Sequence, residues 1–184
     1  MKSKLILLST FYVFALVFSA CCGEDKLPYY DFSSISLLYP EGEEISENGS
    51  FTLLISEEEV EYLAIAPTLN LGLINKAYAL SCPSDGDNGR KYSVVNVEIT
   101  SDADFDADHA AGTSLKDIFT AEKWDSDVGD YIQVRLDQYE DQNSVYKLKL
   151  DERPTLSVEH HFTITLTKDN GEIISATTNT INWL

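Results

Sequence analysis

Polar and apolar residues alternate with a period of two along most of the chain. Phe51, Leu53 and Ile55 share one parity, and the same alternation recurs in four later segments: Val95–Ile99, Ile132–Leu136, Tyr146–Leu150 and Phe162–Leu166. Each segment predicts a strand with one buried and one solvated face, as antiparallel sheets have. Less regular strands are predicted at Phe32–Tyr39, Glu61–Ala66, Leu71–Leu80 and Ile173–Trp183.

Tight turns are predicted where asparagine precedes glycine, because these residues tolerate a positive φ. Asn170-Gly171 lies between Leu166 and Ile173 and gives the clearest hairpin, and Asn48-Gly49 and Asn88-Gly89 repeat the signal. The apolar parity shifts within Ile173–Trp183, which predicts a β-bulge near Thr178.

One short helix is predicted after the strand at Val95–Ile99. Ser114 and Asp117 match a capping box, and Leu115, Ile118 and Phe119 share one helical face. About eight strands with one short helix indicate a mostly β fold, a single antiparallel β-sandwich of immunoglobulin-like type. An up-and-down barrel is the alternative. The sandwich domain is expected to span residues 29–184.

The N-terminus has the pattern of a lipoprotein leader. Lys2 and Lys4 precede an apolar stretch that is interrupted by Ser9-Thr10 and is shorter than the ~20 residues of a membrane span. Phe18-Ser19-Ala20-Cys21 places small residues before a cysteine, as a bacterial lipobox does. We therefore expect residues 1–20 to be a signal peptide, Cys21 to be lipidated, and residues 21–28 to be a flexible tether.

The net charge of the chain limits the classes of molecule that it can bind. The 184 residues contain 13 Lys+Arg and 31 Asp+Glu, a formal net charge of −18. Phosphate binding needs basic surface, so nucleic acid is excluded as a partner. Electrostatic attachment to anionic lipid is disfavoured for the same reason. We therefore expect the protein to be held in the outer membrane of a Gram-negative bacterium by a lipid anchor. Its partner is expected to be an unknown protein or glycan.

Several segments resemble a family of small Bacteroidetes lipoproteins whose domain has no assigned function. The resemblance rests on Ala77–Pro83, Val94–Thr100 and Ala111–Phe119, with Tyr29-Tyr30-Asp31 near the start and Ile181-Asn182-Trp183 at the end. It implies an extracytoplasmic domain and supplies no catalytic residue. Glu24 and Asp25, behind the cysteine, resemble the surface-export tether of such lipoproteins, and a solvated linker is the alternative.

Three cysteines are too few for a disulfide-rich scaffold. Cys82 is remote from the N-terminus, and Cys22 is its only plausible intramolecular partner because Cys21 is expected to be lipidated. A Cys22–Cys82 disulfide is compatible with an oxidising compartment. A free buried thiol is the alternative.

A calcium site is suggested by four alternating carboxylates, Asp102, Asp104, Asp106 and Asp108. Their spacing matches the start of an EF-hand loop, but Ala107 stands where glycine is needed and Thr113 where a bidentate glutamate is needed. A solvated loop is the alternative. The run Asp85–Gly89 is interpreted as a turn.

No catalytic motif is present, so the leading hypothesis is a lipid-anchored, non-catalytic binding or accessory domain. A hydrolase with dispersed carboxylates, such as those of Glu57–Glu59, is one alternative, and it requires acids with raised pKa values. A calcium-stabilised adhesin-like module is another. His160 and His161 are adjacent in a predicted strand, so they are expected to face opposite sides and not to share a metal. With His109 as the third histidine, zinc has few ligands.

Overall fold

The computed structural model describes residues 27–40, 42–46, 49–63, 84–138 and 147–184. The elements in these ranges are eleven strands and one 3₁₀ turn, Leu136–Gln138. The strands are β1 (Tyr29–Leu38), β2 (Glu44–Ile45), β3 (Phe51–Leu63), β4 (Val94–Ser101), β5 (Phe119–Asp125), β6 (Asp130–Arg135), β7 (Lys147–Leu150), β8 (Glu159–His160), β9 (Phe162–Lys168), β10 (Ile173–Thr177) and β11 (Ile181–Trp183).

The described residues divide into two compact units. The first contains 27–31, 61–63 and 84–91. Within it, the amide of Tyr30 donates to the carbonyl of Gly89 (3.1 Å) and its carbonyl accepts from Lys91 (2.7 Å). The second unit contains the described residues of 32–60 and 92–184 and holds the core and the site described below.

Three open sheets are built from these strands. Their orders are β1-β3-β7-β5-β6, β10-β9-β4 and β2-β11-β8. Antiparallel pairing joins β9 to β10 and β4, β11 to β8, and β7 to β3 and β5, and also joins β5 to β6, whereas β2 and β11 are parallel. None of the three sheets closes on itself over the described ranges, so the predicted sandwich class is confirmed and the barrel alternative is not.

Aromatic side chains of all three sheets meet in the core of the second unit. The Phe162 ring of β9 lies 5.4 Å from that of Phe51 of β3 and 5.9 Å from that of Trp183 of β11, between ring centroids. All three side chains are buried. One residue from each sheet therefore contributes to the same core, and such contacts add to the stabilisation from burial alone.

The predicted hairpin is confirmed. β9 and β10 pair from Thr167 with Ile173 to Thr163 with Thr177. The turn contains Gly171 at φ 87°, and the side-chain oxygen of Asn170 accepts from the amide of Glu172 at 3.0 Å. Glycine supplies the left-handed backbone conformation that the turn requires.

Two details of strand parity differ from prediction. Val95 was expected to face the core, but it is 54% exposed and Val94 is buried in its place, because the β4–β9 register shifts between Val94 and Asn96. The bulge predicted near Thr178 is instead a break. β10 ends at Thr177, and the chain joins a different sheet at Ile181.

The helix predicted at Ser114–Phe119 does not form. Ser114 bridges Thr100, and the amide of Leu115 donates to the carbonyl of Ile99 at 2.9 Å. One turn follows, closed by the amide of Phe119 on the carbonyl of Leu115, and β5 begins there. Pairing with β4 has therefore replaced the first helical turn. Over the described ranges, no helix has the length and hydropathy to cross a membrane.

Candidate functional site

Asp102, His161 and Thr180 lie side by side because of the strand register. Ser101, the last residue of β4, pairs with Phe162, which places the following residue, Asp102, beside His161. Ile181 pairs with His160, which places Thr180 beside His161 from the other side. The site is thus assembled from the end of β4, the link between β8 and β9, and the residue that precedes β11.

His160 faces inward. Its ring is fully buried, its Nε2 lies 3.1 Å from the Ser157 carbonyl, and its Nδ1 lies 2.7 Å from the Oγ of buried Ser101. A carbonyl only accepts, so Nε2 holds the proton and, in the neutral ring, Nδ1 accepts from the serine hydroxyl. Desolvation lowers the pKa of His160 and outweighs the opposing hydrogen bond to Ser157 and the charge of Asp102.

His161 faces outward, so the prediction that the two histidines take opposite faces is confirmed. Its side chain is 42% exposed. Nδ1 lies 2.7 Å from Oδ2 of Asp102, and Nε2 lies 2.9 Å from Oγ1 of Thr180. Oδ1 of Asp102 also accepts from the backbone amide of His161 at 2.7 Å. One carboxylate therefore fixes both the backbone and the ring of this histidine.

The ionised form of Asp102 is favoured at this position. Desolvation raises the pKa of Asp102, but the amide and ring hydrogen bonds from His161 and its charge outweigh that effect and hold the pKa below its ordinary value. The group that orients the His161 ring is therefore a carboxylate across the neutral pH range.

Three of the four aspartates proposed for calcium accept hydrogen bonds from different groups. Asp102 binds His161, and Asp104 accepts from the amide of Ala111 at 2.8 Å. Asp106 accepts from the amides of Asp108 (2.8 Å) and His109 (2.9 Å), and the Asp108 side chain is exposed. In the part of the chain that the structure describes, no three His, Cys, Asp or Glu residues are placed to hold a metal. The geometry gives calcium no support here.

His109 lies between two carboxylates. Nδ1 is 2.8 Å from Asp106 and Nε2 is 3.0 Å from Asp117. Desolvation lowers the pKa of His109, but the hydrogen bonds and charges of Asp106 and Asp117 outweigh it and raise the pKa above its ordinary value. This contact ties the Asp102–Asp108 loop to the turn before β5. Sequence reasoning missed it, since Asp117 had been interpreted as part of a helix cap.

Replacing His109 by glutamine is expected to destabilise the fold most in mild acid, by about 1–2 kcal/mol. Because the pKa of His109 is higher in the folded than in the unfolded state, its ion pairs contribute their full stabilisation below the unfolded pKa of 6.5. That stabilisation is lost as the pH rises through the folded pKa. The difference in Tm between the wild type and His109→Gln should therefore shrink as the pH is raised from about 6 to about 8.5. A difference that grows over this range would contradict the ion pairs.

The acidic turn at Asp85–Gly89, in the first unit, is confirmed as a turn. Oδ1 of Asp85 accepts from the amide of Leu27 at 2.9 Å, and Oδ2 of Asp87 accepts from the amide of Ser84 at 2.7 Å. Its carboxylates are thus used to fix local backbone, which is the usual task of aspartate in turns.

The glutamates considered for hydrolysis lie within β3. Glu58 accepts from the hydroxyl of Ser36 (2.8 Å) and Glu59 from that of Ser33 (2.7 Å). Among the described carboxyl groups with a shifted pKa, Asp102 and Asp106, both are shifted downwards. The raised pKa that a carboxylate hydrolase requires is not found at either of them.

Several predicted sites lie outside the described residues. They are the lipidation site Cys21 and both cysteines of the expected Cys22–Cys82 disulfide. These stay predictions.

Comparison with known proteins gives no relative. A scan of protein-family models, a search of curated proteins and a search of solved structures each returned no match to the chain. The resemblance to Bacteroidetes lipoproteins therefore stays a prediction.

Proposed function

We propose that this protein is a bacterial lipoprotein whose β-sandwich acts as a binding or accessory module at the outer membrane of a Gram-negative cell. The observation that carries this proposal is Phe18-Ser19-Ala20-Cys21 behind a basic and then apolar N-terminus. Each acyl methylene buried in a bilayer contributes ~0.8 kcal/mol, so more than one chain on Cys21 gives a stable anchor.

The charge of the chain supports a covalent anchor. With a net charge of −18 and a pI of about 4.3, the protein is repelled by anionic lipid and nucleic acid alike. Attachment through acyl chains needs no basic surface. The partner we propose is a protein or a glycan.

Exposed tyrosines favour a binding role. Tyr131 of β6 is 63% exposed, and Tyr62, in the first unit, is 50% exposed. Tyrosine combines an apolar ring with a hydroxyl, which suits contacts to sugars and to protein surfaces. Calcium has no part in this role, because three of the four aspartates that suggested it already accept hydrogen bonds from backbone amides.

Replacing Cys21 by serine tests the anchor. We expect the wild type, expressed in a Gram-negative host, to incorporate radiolabelled palmitate, to partition into detergent, and to accumulate as a larger precursor under globomycin. Cys21→Ser should lose the label entirely, since the acyl chains are built on that sulfur.

The adjacent cysteine supplies a matched control. Cys22→Ser should keep both the label and the detergent partitioning. Label retained by Cys21→Ser, or lost from Cys22→Ser, contradicts the assignment. The binding role is tested separately with a glycan array and a pull-down from detergent-solubilised envelope, and it fails if neither returns a ligand.

A further inference from the structure

A hydrogen-bonded relay runs from Asp102 through His161 to Thr180. The two links measure 2.7 Å at Nδ1 and 2.9 Å at Nε2, and they join residues 59 and 19 positions apart in the chain. The Asp102 and His161 side chains are about half exposed, at 54% and 42%, and Thr180 is partly exposed. The relay is therefore open to a ligand from solvent.

The direction of each proton follows from the donors and acceptors. A carboxylate only accepts, so Nδ1 of His161 donates to Asp102. In the neutral ring Nε2 then has a free lone pair, and Thr180 donates its hydroxyl proton to it. A hydroxyl hydrogen-bonded to a base whose other nitrogen is held by a third group is the arrangement by which nucleophilic hydroxyls are activated.

We propose that this relay makes Thr180 a nucleophile toward carboxylic esters, with His161 as general base and Asp102 as a positioning residue. This activity would be additional to the binding role, for which the sequence alone predicts a non-catalytic domain. It is independent of the lipid anchor, because none of the three residues lies in the N-terminal segment.

The reaction balances as an ordinary two-step hydrolysis. Oγ1 of Thr180 forms a bond to the ester carbonyl carbon while its proton passes to Nε2 of His161. The C–O bond to the leaving alcohol breaks, and His161 returns the proton to that oxygen. Water then attacks the acyl-threonine with His161 as base, which releases the acid and restores the hydroxyl.

The surroundings define the substrate class. The carboxylate of Asp102 and the net charge of −18 disfavour an anionic ester. The site is open to water, so the protein alone lowers the activation barrier only modestly. The expected substrate is therefore an ester that is itself reactive because it has a good leaving group. A neutral acyl ester such as p-nitrophenyl acetate fits both conditions.

The other two histidines show why the activity is assigned to His161. The His160–Ser101 pair is buried, and its second nitrogen is on a backbone carbonyl. His109 has both nitrogens on carboxylates, so no nitrogen accepts from a hydroxyl. Of the chain's three histidines, His161 alone joins a carboxylate to a partly exposed hydroxyl.

A fluorophosphonate probe tests the nucleophile directly. Attack by Thr180 forms an O–P bond and expels fluoride, and peptide mass spectrometry of the full-length protein locates the adduct. We expect one adduct, on Thr180. The near-isosteric Thr180→Val should lose it, and Thr180→Ser should keep it because the hydroxyl remains. Thr165→Ala, on the outer face of β9, is the control that should label like the wild type.

Hydrolysis of p-nitrophenyl acetate tests the relay. General-base catalysis contributes at least about 10²-fold, so Thr180→Val and His161→Gln should lose kcat by about that factor. In Asp102→Asn the amide would donate to Nδ1 and force the proton onto Nε2, so kcat should fall while KM is unchanged. Thermal unfolding of each variant verifies that it is folded.

The proposal is overturned by any of three results. One is a wild type that forms no adduct at Thr180 and does not hydrolyse the ester. Another is a folded Thr180→Val that still forms the adduct or hydrolyses the ester as fast as the wild type. The third is folded His161→Gln that reacts as fast as the wild type.

Discussion

Replacing Phe162 by alanine is expected to lower the free energy of unfolding by about 3–5 kcal/mol. Its ring is fully buried and lies within 6 Å, centroid to centroid, of Phe51 (5.4 Å), His160 (5.7 Å), Phe119 (5.9 Å) and Trp183 (5.9 Å). The substitution removes the apolar surface of the ring and leaves a cavity where side chains of all three sheets meet.

This loss is a large fraction of the total free energy of unfolding of a domain of this size, which is about 5–15 kcal/mol. Urea unfolding followed by tryptophan fluorescence measures it, since Trp183 lies against the substituted position. Phe162→Leu fills most of the volume and should be less destabilising than alanine. Thr165→Ala changes the outer face of the same strand and should alter stability by about 1 kcal/mol or less. A loss no greater for Phe162→Ala than for Thr165→Ala would show that this aromatic cluster is not central to the core.

Local sequence signals predicted the β9–β10 hairpin because its information is local. The alternation of Phe162–Leu166 and the Asn170-Gly171 turn lie within a dozen residues, and the structure pairs Leu166 with Ile174 as the turn requires. Side-chain parity and turn chemistry act on the same short segment, so no distant partner is needed to fix the register.

Predictions that depended on a distant partner were wrong. Val95 has the right parity for burial, but the register of β4 against β9 shifts between Val94 and Asn96, and Val94 is buried instead. Leu115 and Phe119 have helical spacing, yet the amide of Leu115 is bonded to Ile99. In both cases a backbone contact between segments decided the local conformation, and a single sequence does not contain that contact.

The candidate site also depends on contacts between distant segments, which local sequence patterns do not predict. Alternation along the strand was enough to place His160 and His161 on opposite faces. The partners of His161 depend on the register of β4 against β9 and of β8 against β11, so Asp102 and Thr180 carried no local signal. The sequence pattern predicted Asp102 to be a calcium ligand, as one of four alternating aspartates, and not the partner of a histidine.

The burial of Lys168 could have been predicted from the sequence. The inward parity of Phe162, Ile164 and Leu166 continues to Lys168, and the structure buries all four. The alternation predicted from the sequence stopped at Leu166, and Lys168 lies between that strand and the Asn170-Gly171 turn, where a lysine is ordinarily solvated. Extending the alternation by one more step would have identified it as an inward-facing charge.

Replacing Lys168 by alanine is expected to destabilise the fold by about 3–5 kcal/mol. Its side chain is fully buried, and Nζ donates to the carbonyl of Phe32 and lies 4.3 Å from the centre of the Phe32 ring. Truncation leaves a cavity in place of the alkyl stem and a buried carbonyl without this donor. The ion pair with Glu172, at 3.0 Å, contributes little because that carboxylate is 37% exposed.

Lys168→Met separates packing from charge. Methionine keeps most of the stem volume and removes the donor, so it should lose only about 1–3 kcal/mol, the loss associated with an unsatisfied buried group. Replacement of a buried charge by an apolar side chain of similar size is often tolerated, because the apolar side chain needs no desolvation of an ion. Glu172→Gln should change stability less than either substitution. Urea unfolding of the three variants gives the order directly: a loss for Lys168→Met that equals or exceeds that for Lys168→Ala would mean that the ammonium group, rather than the buried stem, holds β1 against the β9–β10 hairpin.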